Sequence, residues 1–320
     1  MSTLVFLEHH GSSIQKGSLG VLSKAASIDP DTSAVLIGSG VAGVASEAAR
    51  YGAAKVYVAD AAALDAPLPQ PRVDVIAALV QAQGFDNVLF GASVLAADIA
   101  GGLAARLDAG LNWDLIDVTA DGGAIVGKRA ALSDSVYVDA GWSATPRLGL
   151  FRSGSFDPVE TSGAGAVENV PVALEDFSTK ALMVDQAHEE QTGPSIEEAE
   201  ILVAGGRGLG APEGFGILEE LAAALGGAVA STRAVVDSGW YPYATQIGQT
   251  GKSVSPKLYI GCGVSGAIQH KVGMQSSQVI VAINKDAGAP IFDFSDFGVV
   301  GDLHSVVPQL TALVKERKGS

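Results

Sequence analysis

Residues 246–286 run QIGQTGKSVSPKLYIGCGVSGAIQHKVGMQSSQVIVAINKD. The middle of the stretch predicts a short buried strand at 257–260, a turn Gly261-Cys262-Gly263-Val264-Ser265-Gly266, and a helix over 267–274. Strand, G-x-G-x-x-G and helix in succession suit a bound nucleotide. The glycines reach backbone angles other residues avoid and let a pyrophosphate approach the main chain, while a helix N-terminus offers unpaired amides. A second strand is expected at 278–283, ending in Asn284, Lys285 and Asp286. Asp286 lies about twenty residues past the turn, where a ribose-binding carboxylate is expected.

Ahead of the strand, Gln246-Ile247-Gly248-Gln249-Thr250-Gly251-Lys252 is a polar loop with side-chain donors and two glycines. Gly251-Lys252-Ser253 resembles the tail of a P-loop, but the first glycine of that motif falls on Gln246, which excludes a Walker A site.

A chain of 320 residues has room for two cores. Its 40 glycines and only 17% charged residues suit packed α/β structure rather than disorder. A formal net charge of -15 argues against nucleic acid or an anionic membrane surface as partner. No apolar run approaches the ~20 residues of a membrane span, so no membrane insertion is expected. Cys262 is the one cysteine, which rules out an intramolecular disulfide and a cysteine-based metal cluster. Residues 2–8 enter a strand pattern without a basic leader, so a bacterial cytoplasm is the expected location. A mitochondrial matrix protein lacking its presequence would read the same way.

From the start, strand-like blocks at 4–7, 33–37, 55–58 and 87–90 alternate with helical ones at 42–51, 73–82 and 94–107. Such alternation predicts a parallel sheet covered on both faces. At 115–119, 124–132, 136–139 and 147–152 the strands are separated by little more than turn residues, so hairpin or meander strands appended to that sheet are expected. The acidic, Gly-Pro-containing segment 185–199 is the expected linker between an α/β domain at 1–192 and a Rossmann-like, doubly wound domain at 197–320. The second domain restarts with strand 201–204, a glycine loop around Arg207, helix 215–225 and strand 228–230. It closes with a helix from Leu303 to about Lys318, N-capped by Asp302 and strained by Pro308.

Several residues have both a bland and a functional reading. Gly38-Ser39-Gly40-Val41-Ala42-Gly43, followed by Asp60, is a second G-x-G-x-x-G that either packs a βα unit or holds a dinucleotide. The latter reading makes the chain an NAD-dependent dehydrogenase, against which stands the lack of an evident catalytic dyad. Arg207, in its glycine loop, and Thr232-Arg233, after the next strand, stand where α/β domains bind ligands. They are either anion contacts or surface ion-pair partners. His270 follows the glycine turn and is either structural or close to a ligand. His9, His10, His188 and His304 have no partners at metal-ligand spacing. Cys262 reads as a small buried side chain rather than a nucleophile.

The run Val203-Ala204-Gly205-Gly206-Arg207-Gly208, then Arg233-Ala234-Val235-Val236-Asp237, the 246–252 loop and Gly263-Val264-Ser265-Gly266-Ala267-Ile268-Gln269-His270 resemble the alpha subunit of electron-transfer flavoproteins. Residues 279–286, Ala289-Pro290-Ile291-Phe292 and Gly301-Asp302-Leu303 complete the likeness. The resemblance implies an FAD site made of Arg207, Thr232, Ile247, Gly248, Gln249, Thr250, Ser265, Gly266, Ala267, Ile268, Gln269, His270, Asn284, Asp302 and Leu303. It further implies Arg233 against the flavin, Thr250 near its N5 and His270 near its pyrimidine carbonyl. Cationic or donor groups there would stabilise the anionic one-electron-reduced flavin. Thr232 departs from the family's usual serine but keeps the hydroxyl, and Trp240-Tyr241-Pro242-Tyr243 is bulkier than the usual segment. The implied function is electron carriage without substrate turnover. FAD is the implied cofactor, and the first domain would hold a beta subunit in a heterodimer. Electrons would come from acyl-CoA and other flavin dehydrogenases in fatty acid oxidation and pass to a membrane quinone oxidoreductase.

Overall fold

The structure, a computed structural model, describes residues 1–11, 13–132, 136–163, 165–185 and 195–319. It divides into two compact units, Met1–His188 and Glu189–Ser320. Residues 186–194, most of the expected linker and with it His188, lie outside the described residues.

The first unit begins with β1 (Thr3–Leu7), a short antiparallel ladder of β2 (His9–His10) and β3 (Ser13–Ile14), and α1 (Lys16–Ile28). There follow β4 (Ser33–Gly38), α2 (Ala45–Arg50), β5 (Lys55–Asp60), α3 (Pro69–Gln83), β6 (Asn87–Gly91) and α4 (Val94–Leu107). Then come β7 (Leu111–Asp121), β8 (Ala124–Ala131), β9 (Val136–Ala140), β10 (Arg147–Phe151) and β11 (Ala166–Asn169). Nine of these strands form one sheet in the order β11-β5-β4-β1-β6-β10-β7-β8-β9.

Side chains alternate across a strand, and both faces of this sheet are covered. Leu4 and Phe6 of β1 join Val35 and Ile37 of β4 in one apolar cluster, while Val5 and Leu7 join Ala34 and Leu36 in the other. That double burial explains why the central strands read as continuous apolar runs. The meander expectation holds for β7, β8 and β9, which pair antiparallel. It fails for β10, which lies between β6 and β7 and is parallel to both. Its residues Leu148, Leu150 and Phe151 are buried, so the strand behaves as core.

The second unit contains β12 (Ile201–Gly205), α5 (Phe215–Leu225), β13 (Ala228–Thr232), α6 (Arg233–Val236), β14 (Gln246–Ile247) and β15 (Leu258–Cys262). It ends with α7 (Ile268–Lys271), β16 (Val279–Asn284), β17 (Phe297–Val300) and α8 (Leu303–Lys318). All neighbours are parallel, in the order β14-β13-β12-β15-β16-β17. Asp302 caps α8 by accepting the His304 amide at 3.1 Å, and the helix runs through Pro308 to Lys318. The helix expected over 267–274 is only the single turn of α7. Ala267 before it has ψ 145, and after Lys271 the chain continues as turns, with Val272 still at helical angles and the Met274 amide donating to the Lys271 carbonyl at 3.0 Å.

Candidate functional site

Strand register collects the second unit's candidate residues. Gln246 pairs with Ser231, Ser231 with Gly205, Gly205 with Cys262, Cys262 with Ile283 and Ile283 with Val299, one row across the whole sheet. Every residue the resemblance assigns to FAD follows this row on its own strand: Arg207, then Thr232 and Arg233, then Ile247 to Thr250, Ser265 to His270, Asn284, and Asp302 with Leu303. Parallel strands carry these residues to one carboxyl edge. Strand order reverses between β12 and β15, the place where open parallel sheets leave a crevice.

The two loops at that reversal are pressed together through backbone. The Gly206 amide donates to the Cys262 carbonyl and the Gly208 amide to the Gly263 carbonyl, each at 3.0 Å. A Cβ on Gly263 would lie 2.7 Å from the Gly208 Cα, and Gly263 has φ +64. Only glycine satisfies both constraints without displacing a loop.

The polar loop after β13 is closed on itself. The Lys252 amide donates to the Gln246 carbonyl at 2.8 Å, and the Gln249 amide donates to the Gln269 carbonyl at 2.7 Å. Gly248, at φ +134, would carry a Cβ only 2.7 Å from that same Gln269 carbonyl oxygen. Gln246 Nε2 donates to Thr250 Oγ1 at 3.1 Å, and the Tyr243 hydroxyl donates to the Thr250 carbonyl at 3.1 Å. In the bulky segment ahead of the loop, Trp240 and Tyr241 pack on the core, with the Tyr241 ring stacked on Phe215 at 4.1 Å.

His270 is buried and engaged at both nitrogens. Its Nδ1–H donates to the Ile247 carbonyl at 3.2 Å, and its Nε2 accepts from the Tyr259 hydroxyl at 2.7 Å. Burial pushes the imidazole down to about 4, with the Ile247 carbonyl opposing the shift. The ring is therefore neutral near pH 7, and its Nδ1–H is already given to the Ile247 carbonyl. Cys262 is buried and its thiol pushed up to about 12 by desolvation, so it is inert, as its sequence context implied.

Exposure sorts the remaining residues. Arg207, Arg233, Gln249, Thr250, Ser265, Ala267, Ile268, Gln269 and Asp302 face solvent, while Thr232 and Asn284 are half-buried. Ile247, Gly248, Gly266 and Leu303 are buried, so only their backbones are available at the edge. Asn284 Nδ2 donates to the Val264 carbonyl at 2.9 Å and braces the glycine turn. Arg233 forms an i,i+4 pair with Asp237 at 3.2 Å. Asp286 accepts the Gly288 amide at 2.9 Å and closes its own turn. Two arginines on adjacent strand ends, with hydroxyl and amide donors beside them, fit a ligand that joins a pyrophosphate to a polar ring. Reading from sequence missed the buried Gln246 side chain, Tyr243 and Tyr259. The tyrosines stood in runs noted for resemblance or bulk without a role of their own, and Gln246 was read only as loop polarity.

The glycine turn of the first unit is already filled. Asp60 accepts the amides of Gly40 at 2.8 Å and Ala42 at 3.0 Å, and these bonds hold its carboxyl below the usual range. A Cβ on Gly38 would meet His9 Nε2 at 2.5 Å. The turn's amides serve a carboxylate of the same chain, in keeping with the packing reading.

Residues 3–175 match the family model described as the electron transfer flavoprotein domain, and residues 195–275 match that of the electron transfer flavoprotein FAD-binding domain. The chain belongs to the electron transfer flavoprotein alpha-subunit family. Among curated relatives, an electron transfer flavoprotein subunit alpha of Mycobacterium leprae (strain TN) is 42% identical over 318 residues, covering 99% of both chains. One from Bacillus subtilis (strain 168) is 41% identical over 90% of this chain and 89% of its own. A protein named FixB from Clostridium saccharobutylicum is 40% identical over 98% of this chain and 96% of its own. Membership in the electron transfer flavoprotein family supports electron carriage over the dehydrogenase reading of the Gly38 turn. These relatives are bacterial. Among the described residues no helix is long and apolar enough to cross a membrane.

Proposed function

We propose that residues 197–320 form a doubly wound FAD-binding domain and that residues 1–192 hold an electron transfer flavoprotein beta subunit. The chain then works in the bacterial cytoplasm. It carries electrons from flavin dehydrogenases, such as those acting on acyl-CoA, to a membrane quinone oxidoreductase, without substrate turnover of its own. The observation that carries this reading is the single row of paired residues from Gln246 to Val299, beyond which all the assigned residues stand.

Bound FAD supplies the capacity to take and release electrons singly or in pairs. The chain's part is to hold and orient it. Arg207 and the amides of the Gly263 to Gly266 turn are suited to phosphate oxygens, since successive amides in a turn form an anion-binding concavity. The single turn of α7 adds little macrodipole, so the turn amides and arginine carry that duty. Arg233 would supply positive charge beside the ring, and Thr250 a hydroxyl proton. His270, neutral and pinned to Ile247 and Tyr259, fixes the loop against α7.

Co-expression with its beta subunit tests the proposal. The expected complex is yellow, with about one FAD per chain released by acid in addition to any nucleotide. A colourless complex that binds adenine nucleotide alone would overturn it.

A further inference from the structure

Thr250 is held in a ring of backbone bonds. Besides the Lys252 to Gln246 bond, the Gly251 amide donates to the Gly248 carbonyl at 2.9 Å and the Gly248 amide to the Lys252 carbonyl at 3.1 Å. A Cβ on Gly251 would lie 2.9 Å from Gln246 Cγ, so the loop closes tightly over the glutamine side chain. Gln246 is 2% exposed, whereas Thr250 faces solvent. A buried amide is expensive to leave unpaired, and Gln246 Nε2 donates to Thr250 Oγ1 at 3.1 Å. A threonine hydroxyl has one proton and two lone pairs. With one lone pair taken by the Gln246 N–H, the hydroxyl proton is given to no acceptor among the described residues and is available to a ligand at the edge of the sheet.

We propose that Gln246 is a positioning residue: its amide holds Thr250 Oγ1 as an acceptor and so commits the Thr250 proton to the bound flavin. This rests on the assignment of the carboxyl edge to FAD. The side-chain amide of Gln246 is hydrogen-bonded to Thr250, so its effect on the flavin is transmitted through that hydroxyl.

The test uses the holo complex with its beta subunit and reads the visible spectrum and midpoint potential of the flavin. Three variants are compared: Thr250→Val, Gln246→Glu and Gln246→Met. An ionised glutamate at 246 accepts only, which draws the Thr250 proton inward, so that variant is read at high pH, and methionine keeps the volume but removes the donor. The expected result is a lowered midpoint in Thr250→Val, a shift of the same sign in both Gln246 variants, and no further shift when Gln246→Glu or Gln246→Met is added to Thr250→Val. Should the glutamate variant fail to fold, the methionine variant decides. A shift in Thr250→Val with wild-type potentials in the Gln246 variants overturns the positioning role, and so does full additivity in the double variant. A wild-type spectrum and potential in Thr250→Val instead overturns the placement of the flavin at Thr250, a different failure from the first.

Discussion

The hydroxyl of Tyr259 meets the imidazole of His270 at 2.7 Å inside the second unit, joining the middle of β15 to α7. Tyr259 is fully buried and burial raises its phenol far above the ordinary value, so it acts here as a neutral donor. Replacing it by phenylalanine leaves His270 Nε2 buried without a partner. The expected loss is about 1–3 kcal/mol of stability, read as a lower urea midpoint with an unchanged slope.

Protonation of His270 gives a pH signature. Its folded value of about 4 lies below the ordinary 6.5, so the native state refuses a proton that the unfolded chain accepts. The resulting contribution is complete above pH 6.5 and is lost as pH falls from 6.5 toward about 4, at roughly 1.4 kcal/mol per pH unit. Urea titrations of the wild type and His270→Gln across this window should show their difference in stability shrinking as pH falls. A gap that stays constant would count against a neutral, buried ring.

Arg233 separates stability from function. Its pair with Asp237 is mostly exposed on both sides, and such pairs contribute about 0–1 kcal/mol. Arg233→Ala should therefore leave the melting temperature within about 2 °C while diminishing the one-electron-reduced flavin seen in stepwise reduction. An unchanged yield would remove Arg233 from the ring.

Gly263→Ala introduces a Cβ both at φ +64 and against the backbone of Gly208. Loss of FAD from a complex that still associates is the expected outcome, measured by flavin content and size-exclusion elution. Retention of a full complement of FAD would show that the loop apposition is dispensable.

Asp60→Ala removes the carboxylate from the amides of Gly40 and Ala42. By analogy with helix caps the loss is about 0.5–2 kcal/mol. FAD content should stay at the wild-type level, whereas a nucleotide held in the Gly38 turn would be disturbed.

Much of the second unit was legible because its strands are short apolar runs punctuated by glycine. Helix α5 begins at Phe215 and ends at Leu225, as the pattern predicts, and Asp302 announces α8. Helix α1 was missed, since Lys16–Ile28 contains Gly17, Gly20 and three serines, poor helix formers by propensity. Gly20 instead permits contact with the Phe156 carbonyl, a tertiary requirement invisible in local sequence. Strands β11 and β17 were missed for a related reason: they are edge strands, exposed at every residue, and lack the apolar signal of their neighbours. The helix after the glycine turn was overextended because small and polar residues at 267–274 fit helical spacing. In the structure Gly273 lies against the Gly248 backbone, a contact that sequence spacing does not reveal. The glycine turns looked alike in sequence; in the structure the first turns its amides to the Asp60 carboxylate, whereas the second is clamped by the Gly206–Gly208 backbone.

The place of β10 sets an order of events during synthesis. Among the described residues β7 joins the rest of its sheet through β10, while β8 and β9 attach through β7. A nascent chain can therefore zip its local hairpins as they leave the ribosome, yet they stay tethered beside an incomplete sheet until Phe151 has emerged. Non-local pairing of this kind is slow to form, so the insertion of β10 is expected to lag behind the local hairpins. Until then β6 presents an unpaired edge on which chaperones or stray strands can settle.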